Sequence, residues 1–566
     1  MSIDSNLEAH VKAWIEQDPD SVTRTQLTDL FHAAQSDTSA LSELQDAFSA
    51  PLEFGTAGLR GALGAGPNRM NRVTVLQAAS GLAQYLVQQG FTGQKVVIGF
   101  DARYNSDVFA NDTALVMSGA GLEPIIFSHV VPTPVLAFAI RKLDACAGVM
   151  VTASHNPPQD NGYKVYLGDG RQIVSPVDEQ ISNFIETVSD VREISQGGPG
   201  TIVSGEVLDT YRSRTAKFIV DGPTSETERK AVTSVYTAMH GVGWKTLQAV
   251  MLDAGFTEPI AALEQRDPDP AFPTVAFPNP EEKGALDISI ALAKKNSVDV
   301  LLANDPDADR FAAAAPNDAG EWTILRGDQI GSLLAWWLIE RAKLNGKDLS
   351  GTFANSIVSS MMLESIAKSA GLNYESTLTG FKWVSRVNNL TFGYEEALGY
   401  CVDPQNVSDK DGISAAAVFM EMIAYLKRQN ISIWQVLDEL SLAHGLHATD
   451  QVSVRVTSSA QVSLTMAGIR NTPPTHMDGL QVSTIDDLAI GLDGLPKTDA
   501  VIIHLAGKDQ IEKARVIIRP SGTEPKIKCY LEVVINGSDL AIAQQSADNV
   551  LKGLAADAKP LLGGGN

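Results

Sequence analysis

Short apolar runs of strand length recur along this chain, each separated from the next by a stretch of helical periodicity. That alternation restricts most of the sequence to βαβ units, with largely parallel sheets and right-handed crossovers. A strand is expected at 95–101, then a helical stretch to Leu122, a strand at 124–127, a second helical stretch, and a strand at 148–152. The plan returns with a strand at 233–236, helices at 245–254 and 283–295, and a strand at 298–302. A third block has helices at 328–343, 360–370 and 412–428 with strands at 352–358, 373–379 and 390–394. Three blocks of similar size read as a degenerate internal repeat.

Two segments fall outside that repeat. Residues 7–48 carry Leu7, Val11, Trp14 and Ile15 on one helical stripe, with Ser21 and Thr23 as caps for the following helix, so an N-terminal helical arm is expected. After His447 the pattern shifts to short alternating strands at 452–456, 516–518 and 527–531 and a final helix at 538–554, an α+β domain. The chain of 566 residues, at roughly 150 per domain, is thus divided into an arm 1–48 and domains 49–206, 207–325, 326–446 and 447–566.

Charge and cysteine content narrow the function. With 44 Lys+Arg against 67 Asp+Glu and a net charge of −23, a nucleic-acid surface or anionic membrane partner is disfavoured, because both need a basic face. Cys146, Cys401 and Cys529 are far apart and show no metal-type spacing, which fits a reducing compartment and neither disulfides nor zinc. The start Met1-Ser2-Ile3-Asp4 lacks a basic and apolar leader, and no run approaches the roughly 20 apolar residues that span a bilayer. A cytoplasmic location and no membrane association are expected.

Ligands of open parallel sheets gather beyond the carboxyl ends of the strands. Three unusual segments stand there: Thr152-Ala153-Ser154-His155-Asn156-Pro157-Pro158, Asp305-Pro306-Asp307-Ala308-Asp309-Arg310, and Glu395-Glu396-Ala397-Leu398-Gly399. A fourth, Arg519-Pro520-Ser521-Gly522-Thr523-Glu524-Pro525, follows a strand of the last domain. In an extended loop the alternating Asp305, Asp307 and Asp309 would point to one side, a repulsive cluster relieved by a hard divalent cation such as Mg²⁺. An EF-hand is excluded, because Arg310 stands where the turn glycine belongs.

Mg²⁺ held by protein carboxylates keeps positions open for phosphate oxygens, so phosphate is the implied ligand. Arg519 offers a bidentate fork and the Ser521-Gly522-Thr523 turn a nest for an oxyanion, while Arg60 and Arg103 add loop cations. Ser154 is the candidate nucleophile, although its neighbour His155 does not make a dyad by adjacency alone. The G-x-S-x-G elbow and the G-x-x-x-x-G-K-[ST] phosphate loop are both missing, which argues against an α/β-hydrolase and an ATP-dependent kinase.

Taken together, the four segments resemble, in order, the active-serine, metal, sugar-binding and phosphate-binding loops of the α-D-phosphohexomutases. Asn161-Gly162-Tyr163-Lys164-Val165 and Thr379-Gly380-Phe381-Lys382 add to the likeness, the latter being most similar to the branch related to phosphoglucomutase-2 and phosphopentomutase. The resemblance implies three related α/β domains with mixed, largely parallel sheets plus a C-terminal α+β domain around a central cleft. It also implies a phosphoserine at Ser154, Mg²⁺ held by Asp305, Asp307, Asp309 and a phosphoserine oxygen, and interconversion of glucose 1-phosphate and glucose 6-phosphate through glucose 1,6-bisphosphate.

Lys164 would serve proton transfer or charge stabilisation, with His155 and Arg60 beside it. Arg103, His240, Arg310, Thr379, Gly380, Lys382, Glu395 or Glu396, Arg519, Ser521, Gly522 and Thr523 would bind the sugar phosphate, in a monomer or dimer. One departure stands out: many members carry a serine two residues after the sugar-binding glutamate, where this chain has Ala397 or Leu398. Pentose phosphates and mannose 1-phosphate therefore stay open as substrates. Two other readings remain: a haloacid-dehalogenase-type enzyme with Asp305 as nucleophile, and a sugar-phosphate-binding paralogue without catalysis.

Overall fold

The computed structural model describes residues 3–456, 458–492, 494–521 and 526–563. It contains two compact units, Met1–Leu325 with Leu398–Tyr425, and Arg326–Ala397 with Leu426–Asn566. Among the described residues no helix is long and apolar enough to cross a membrane, and Cys146, Cys401 and Cys529 are free and buried.

In the first unit the arm is three helices, Ser5–Gln17, Ser21–Ala33 and Thr38–Ala47. Asp4, Asp20 and Asp37 cap them, each accepting a backbone N–H of the first turn. Ser21 and Thr23 therefore do not cap the second helix: Ser21 is its first residue, and the Thr23 hydroxyl donates back to Asp18 at 2.7 Å. An aspartate accepts more strongly than a hydroxyl at the positive end of a helix, which explains the difference. Val11, Trp14, Leu27, Phe31 and Leu44 join the core of the first sheet with Ile98 and Val149, so the arm completes that core.

The first sheet has six strands in the order Leu59–Ala62, Asp160–Leu167, Ala147–Val151, Lys95–Phe100, Glu123–Ile126, Thr201–Ile202. Its last four strands are parallel, while Asp160–Leu167 runs back against Ala147–Val151 and pairs antiparallel with the edge strand. The second sheet repeats the arrangement. Ser234–Thr237 lies parallel to Val300–Asn304 and Ile260–Ala261, and Phe311–Pro316 returns antiparallel on Val300–Asn304. Sequence periodicity places that central strand two residues early, because the apolar run hides the point at which pairing begins.

In the second unit, Thr352–Ser356 pairs parallel with both Asn373–Thr377 and Leu390–Glu395. The C-terminal sheet is antiparallel throughout, in the order Leu446–Arg455, Lys526–Ile535, Ile511–Pro520, Val501–Lys508, Leu480–Asp487, His476–Met477. Helices Ser459–Asn471 and Leu540–Leu561 contribute Met466 and Leu554 to its core. Its other face meets the preceding domain through Ile502, Ile517 and Tyr530, which cluster with Ile357, Val358 and Leu378.

That seam also contains a buried ion pair. Glu532, 3% exposed, accepts from Arg515 Nε at 2.8 Å, His447 Nδ1 at 3.0 Å, the Ser360 hydroxyl at 2.7 Å and the Met361 N–H at 2.8 Å. Burial alone would push its carboxyl up, but Arg515, His447 and Ser360 outweigh it and hold it at about 2, below the usual 4.5. A depressed folded value means stability that is complete above about pH 4.5 and lost as pH falls towards 2; that loss amounts to about 3 kcal/mol. Replacing Glu532 by Gln is expected to flatten the acid limb of chemical denaturation over that window; an unchanged limb would contradict it.

Candidate active site

The loop carrying Ser154 joins Ala147–Val151 to its antiparallel return Asp160–Leu167, and the aspartate loop joins Val300–Asn304 to Phe311–Pro316. The two loops thus occupy equivalent places in two similar sheets, and the structure brings them together. Ser154, 2% exposed, has a left-handed backbone with φ 53°, a strained conformation for a residue with a Cβ. Its hydroxyl donates to Asp305 Oδ2 at 2.8 Å and lies 3.2 Å from His155 Nδ1.

The three aspartates are fully buried, and one carboxylate oxygen from each lies within 4.8 Å of the others. Their convergence comes from a turn rather than an extended loop. Ala308 adopts φ 56°, its N–H returns to Asp305 O at 2.9 Å, and the Arg310 N–H donates to Asp305 Oδ1 at 3.0 Å. Packing is close: a Cβ on Gly241 would stand 2.2 Å from Pro306 Cα, so that crossing requires glycine.

Three buried carboxylates repel, and the cluster answers with cations. Lys164 Nζ donates to Asp307 Oδ2 at 2.7 Å and Asp309 Oδ2 at 2.9 Å, and Lys410 Nζ donates to Asp309 Oδ2 at 2.6 Å. Arg310 Nε lies 3.8 Å from Asp305, and the Thr133 hydroxyl donates to Asp307 Oδ2 at 2.6 Å. Burial and the two neighbouring aspartates push Asp305 up to about 8. Burial would raise Asp307 and Asp309 as well, but Lys164 and Lys410 hold both below the ordinary carboxylate range. Burial would lower Lys164, yet Asp307 and Asp309 keep it above its usual value. His155 is pushed well below its usual value by burial and by Arg310 and Arg60, so its ring is neutral at pH 7.

Asp307 Oδ1 and Asp309 Oδ1 remain buried without a hydrogen-bond partner. Two orphaned anionic oxygens beside a third carboxylate and a serine hydroxyl suit a hard divalent cation of the Mg²⁺ type, which would be held by Asp305, Asp307, Asp309 and the Ser154 oxygen.

The loop cations act differently. Arg60, on the edge strand, donates to Asn156 Oδ1 at 3.1 Å and so touches the serine loop. Arg103 is 4% exposed and faces the loop backbone. It donates to the carbonyls of Ser154 and Asn156, both at 2.6 Å, Pro157 at 2.8 Å and Asp160 at 3.1 Å. Its guanidinium also lies 4.9 Å from the Phe272 ring centroid. In this structure Arg103 shapes the loop rather than presenting donors to a substrate. His240 bonds Thr274 at 2.8 Å through Nε2 and is buried.

The second unit assembles another set. Glu395 ends its strand and accepts the Gly380 N–H at 2.7 Å, beside Lys382 and the Thr379 hydroxyl, which is buried without a partner. Glu396 turns the other way, its Oε2 accepting from Ser356 at 3.2 Å and Ser359 at 3.1 Å. Burial, Glu396 and Glu395 together push the Tyr530 phenol's titration up, against the pull of Arg519. The Ser521 N–H bonds Lys526 O at 2.7 Å; Gly522 and Thr523 lie outside the described residues. Lys410, Thr133, Ser356, Ser359 and Tyr530 were not singled out in the sequence. Only Lys410 carried a signal, the charged run Asp409-Lys410-Asp411-Gly412 opening an apolar helix.

Family profiles match the chain in four pieces. These are the phosphoglucomutase/phosphomannomutase alpha/beta/alpha domains I, II and III over residues 51–192, 210–320 and 326–441, and the C-terminal domain over residues 496–548. This chain belongs to the phosphoglucomutase/phosphomannomutase family. A relative from Haemophilus influenzae named probable phosphomannomutase is 45% identical, over 85% of this chain and 95% of its own. The Homo sapiens protein named phosphopentomutase is 36% identical over 94% and 92%. The crystal structure of a Thermus thermophilus protein described as a "putative phosphomannomutase" superposes with a TM-score of 0.69 at 23% identity, over 91% of this chain and all of the other. The protein is therefore an enzyme of the phosphohexomutase class, with four domains of mixed sheets and helices, and it acts as a phosphosugar mutase.

Two outcomes follow for this mutase. Adding Mg²⁺ after chelation should raise the thermal unfolding midpoint, by about 2.7 kcal/mol of stabilisation at a hundredfold excess over Kd; a D307N/D309N double variant should show no rise. Arg103→Met removes four hydrogen bonds to the serine loop and should lower kcat about a hundredfold, as measured in a coupled assay, with little change in Mg²⁺ response.

Proposed function

We propose that this enzyme interconverts glucose 1-phosphate and glucose 6-phosphate through a phosphoseryl intermediate at Ser154. The observation carrying the proposal is the Ser154 hydroxyl at 2.8 Å from Asp305, inside a buried carboxylate cluster with two orphaned oxygens. A phosphate on that oxygen would lie among Lys164, Lys410, Arg310 and Arg60, whose charges offset those on the transferring group. A divalent cation bound by the aspartates adds Lewis-acid charge neutralisation at the same oxygens.

In the first transfer the phosphoserine P–Oγ bond breaks as the free sugar hydroxyl bonds to phosphorus, and the proton it gives up ends on the departing Ser154 oxygen, producing glucose 1,6-bisphosphate. After the bisphosphate reorients, the Ser154 oxygen attacks the other phosphate, the bond from that phosphorus to the sugar oxygen breaks, and the serine proton ends on the sugar oxygen, which restores phosphoserine and leaves the isomeric monophosphate. Lys164 and Arg60 hold the phosphoryl oxygens, and Arg103 fixes the loop from which Ser154 projects. Glu395 would accept sugar hydroxyls beside Gly380 and Lys382, and Arg519 with Ser521 would grip the non-reacting phosphate.

A second substrate reading, pentose 1-phosphate to 5-phosphate, is favoured by Ala397, which offers no hydroxyl in the sugar loop. The human relative named phosphopentomutase, aligned over almost the whole length of both chains, supports the same reading.

Ser154→Ala should abolish turnover on glucose, ribose and mannose 1-phosphates assayed with a trace of the corresponding bisphosphate. Isolated phosphoenzyme should survive acid and hydroxylamine but not alkali. Hydroxylamine release would instead assign the phosphate to an aspartate such as Asp305.

A further inference from the structure

Outside the cluster around Ser154, the second unit holds another dense group of buried polar side chains, and the reaction proposed above uses none of it directly. Its centre is the Arg515–Glu532 pair, opposed in register on adjacent strands, with 2.6 Å between Arg515 Nη2 and Glu532 Oε2. Arg515 also donates to the Ser359 carbonyl. Glu532 accepts from Ser360 and Met361, so the turn after Thr352–Ser356 is held from both sides. On its far side the same turn presents the Ser356 and Ser359 hydroxyls to Glu396, and Ser359 Oγ also accepts the Glu396 N–H at 3.0 Å.

Consecutive strand residues face opposite ways. Glu395 therefore meets Gly380 while Glu396 meets the serine turn. Arg515, Ile517 and Arg519 share one face of their strand, spaced over about 13 Å, and Tyr530 opposes Ile517. The strand that carries the phosphate-gripping Arg519 is thus tied, through Arg515, Ser359 and Glu396, to the strand end that carries Glu395.

We propose that Glu396 is a positioning residue and not a sugar ligand. Its link through Ser359 and Arg515 to Glu532 sets the separation of Glu395 from Arg519, and so the length of sugar phosphate that is bound. This rests on the reading of Glu395 and Arg519 as substrate-binding groups. The carbon chain from the phosphate-bearing carbon to the anomeric carbon is one shorter in a pentose 5-phosphate than in a hexose 6-phosphate, so a fixed separation discriminates between them, and a loosened one discriminates less.

The full-length protein would be titrated calorimetrically with glucose 6-phosphate and with ribose 5-phosphate, for the unaltered chain, E396Q, R515K and the double variant, alongside KM and kcat. Each single change should weaken binding about five- to twentyfold, more in KM than in kcat, and shift the hexose-to-pentose affinity ratio at least about threefold. The double variant should fall short of additivity by at least about threefold. Additive losses, or an unchanged ratio, overturn the proposal. So does a harmless R515K beside an E396Q as damaging as E395Q, which would make Glu396 a direct ligand. Should R515K fail to fold, S359A, which removes one hydroxyl, replaces it in the cycle. Calorimetry reads binding without turnover, so a chain that binds both sugars but turns over neither refutes the catalytic reading alone. A chain that binds neither refutes both.

Discussion

Three carboxylates buried side by side, with no exposure to water, are the constraint around which the first unit is organised. Left alone they would repel and remain protonated, as the upward push on Asp305 shows. Each neighbouring element contributes to their balance. Lys164 comes from the return strand of the first sheet, Thr133 from a helix start, Arg310 from the loop itself, and Lys410 from the segment that precedes a long helix. Replacing Lys164, Lys410 or Arg310 leaves charge uncompensated at full burial, where such a deficit is most costly. The cluster is therefore a source of strain that the fold tolerates, which is the usual mark of a functional rather than a stabilising arrangement.

Ser154 and its loop show the same economy of means. Ser154 occupies a left-handed turn, and the turn persists because Arg103 binds four of the surrounding carbonyls while Phe272 covers its guanidinium. Local backbone strain is thus offset by a buried cation from a neighbouring loop.

Much of this was legible in the residues. The alternation of strand and helix gave the layered sheets, and the spacing of Asp305, Asp307 and Asp309 gave the carboxylate cluster. The reason was nevertheless different: the oxygens converge through a tight turn at Ala308, which a sequence pattern of period two does not reveal. The antiparallel returns at 160–167 and 311–316 were not anticipated, since a hairpin without a recognisable two-residue turn looks like any apolar run. Long-range partners were the least visible. Lys410 reaches Asp309 across 101 positions and Arg515 reaches Ser359 across 156, and nothing in the local chemistry of either segment names its partner. Glu395 and Glu396 were indistinguishable as letters; only the alternation of faces at the end of one strand separates them.

The division of the chain into units has a topological consequence. The backbone passes from one unit to the other after Leu325, returns after Ala397, and passes over again after Tyr425. Lys410 belongs by sequence to the third repeat but by contacts to the unit that holds the carboxylates. A single proteolytic nick after Tyr425 leaves the two units covalently joined through the crossings after Leu325 and Ala397. A gene fragment ending near residue 325 would likewise produce a protein whose carboxylates lack one of their neutralising amines. The third repeat is in this sense interleaved with its neighbours, its two parts serving different units within one continuous stretch of backbone.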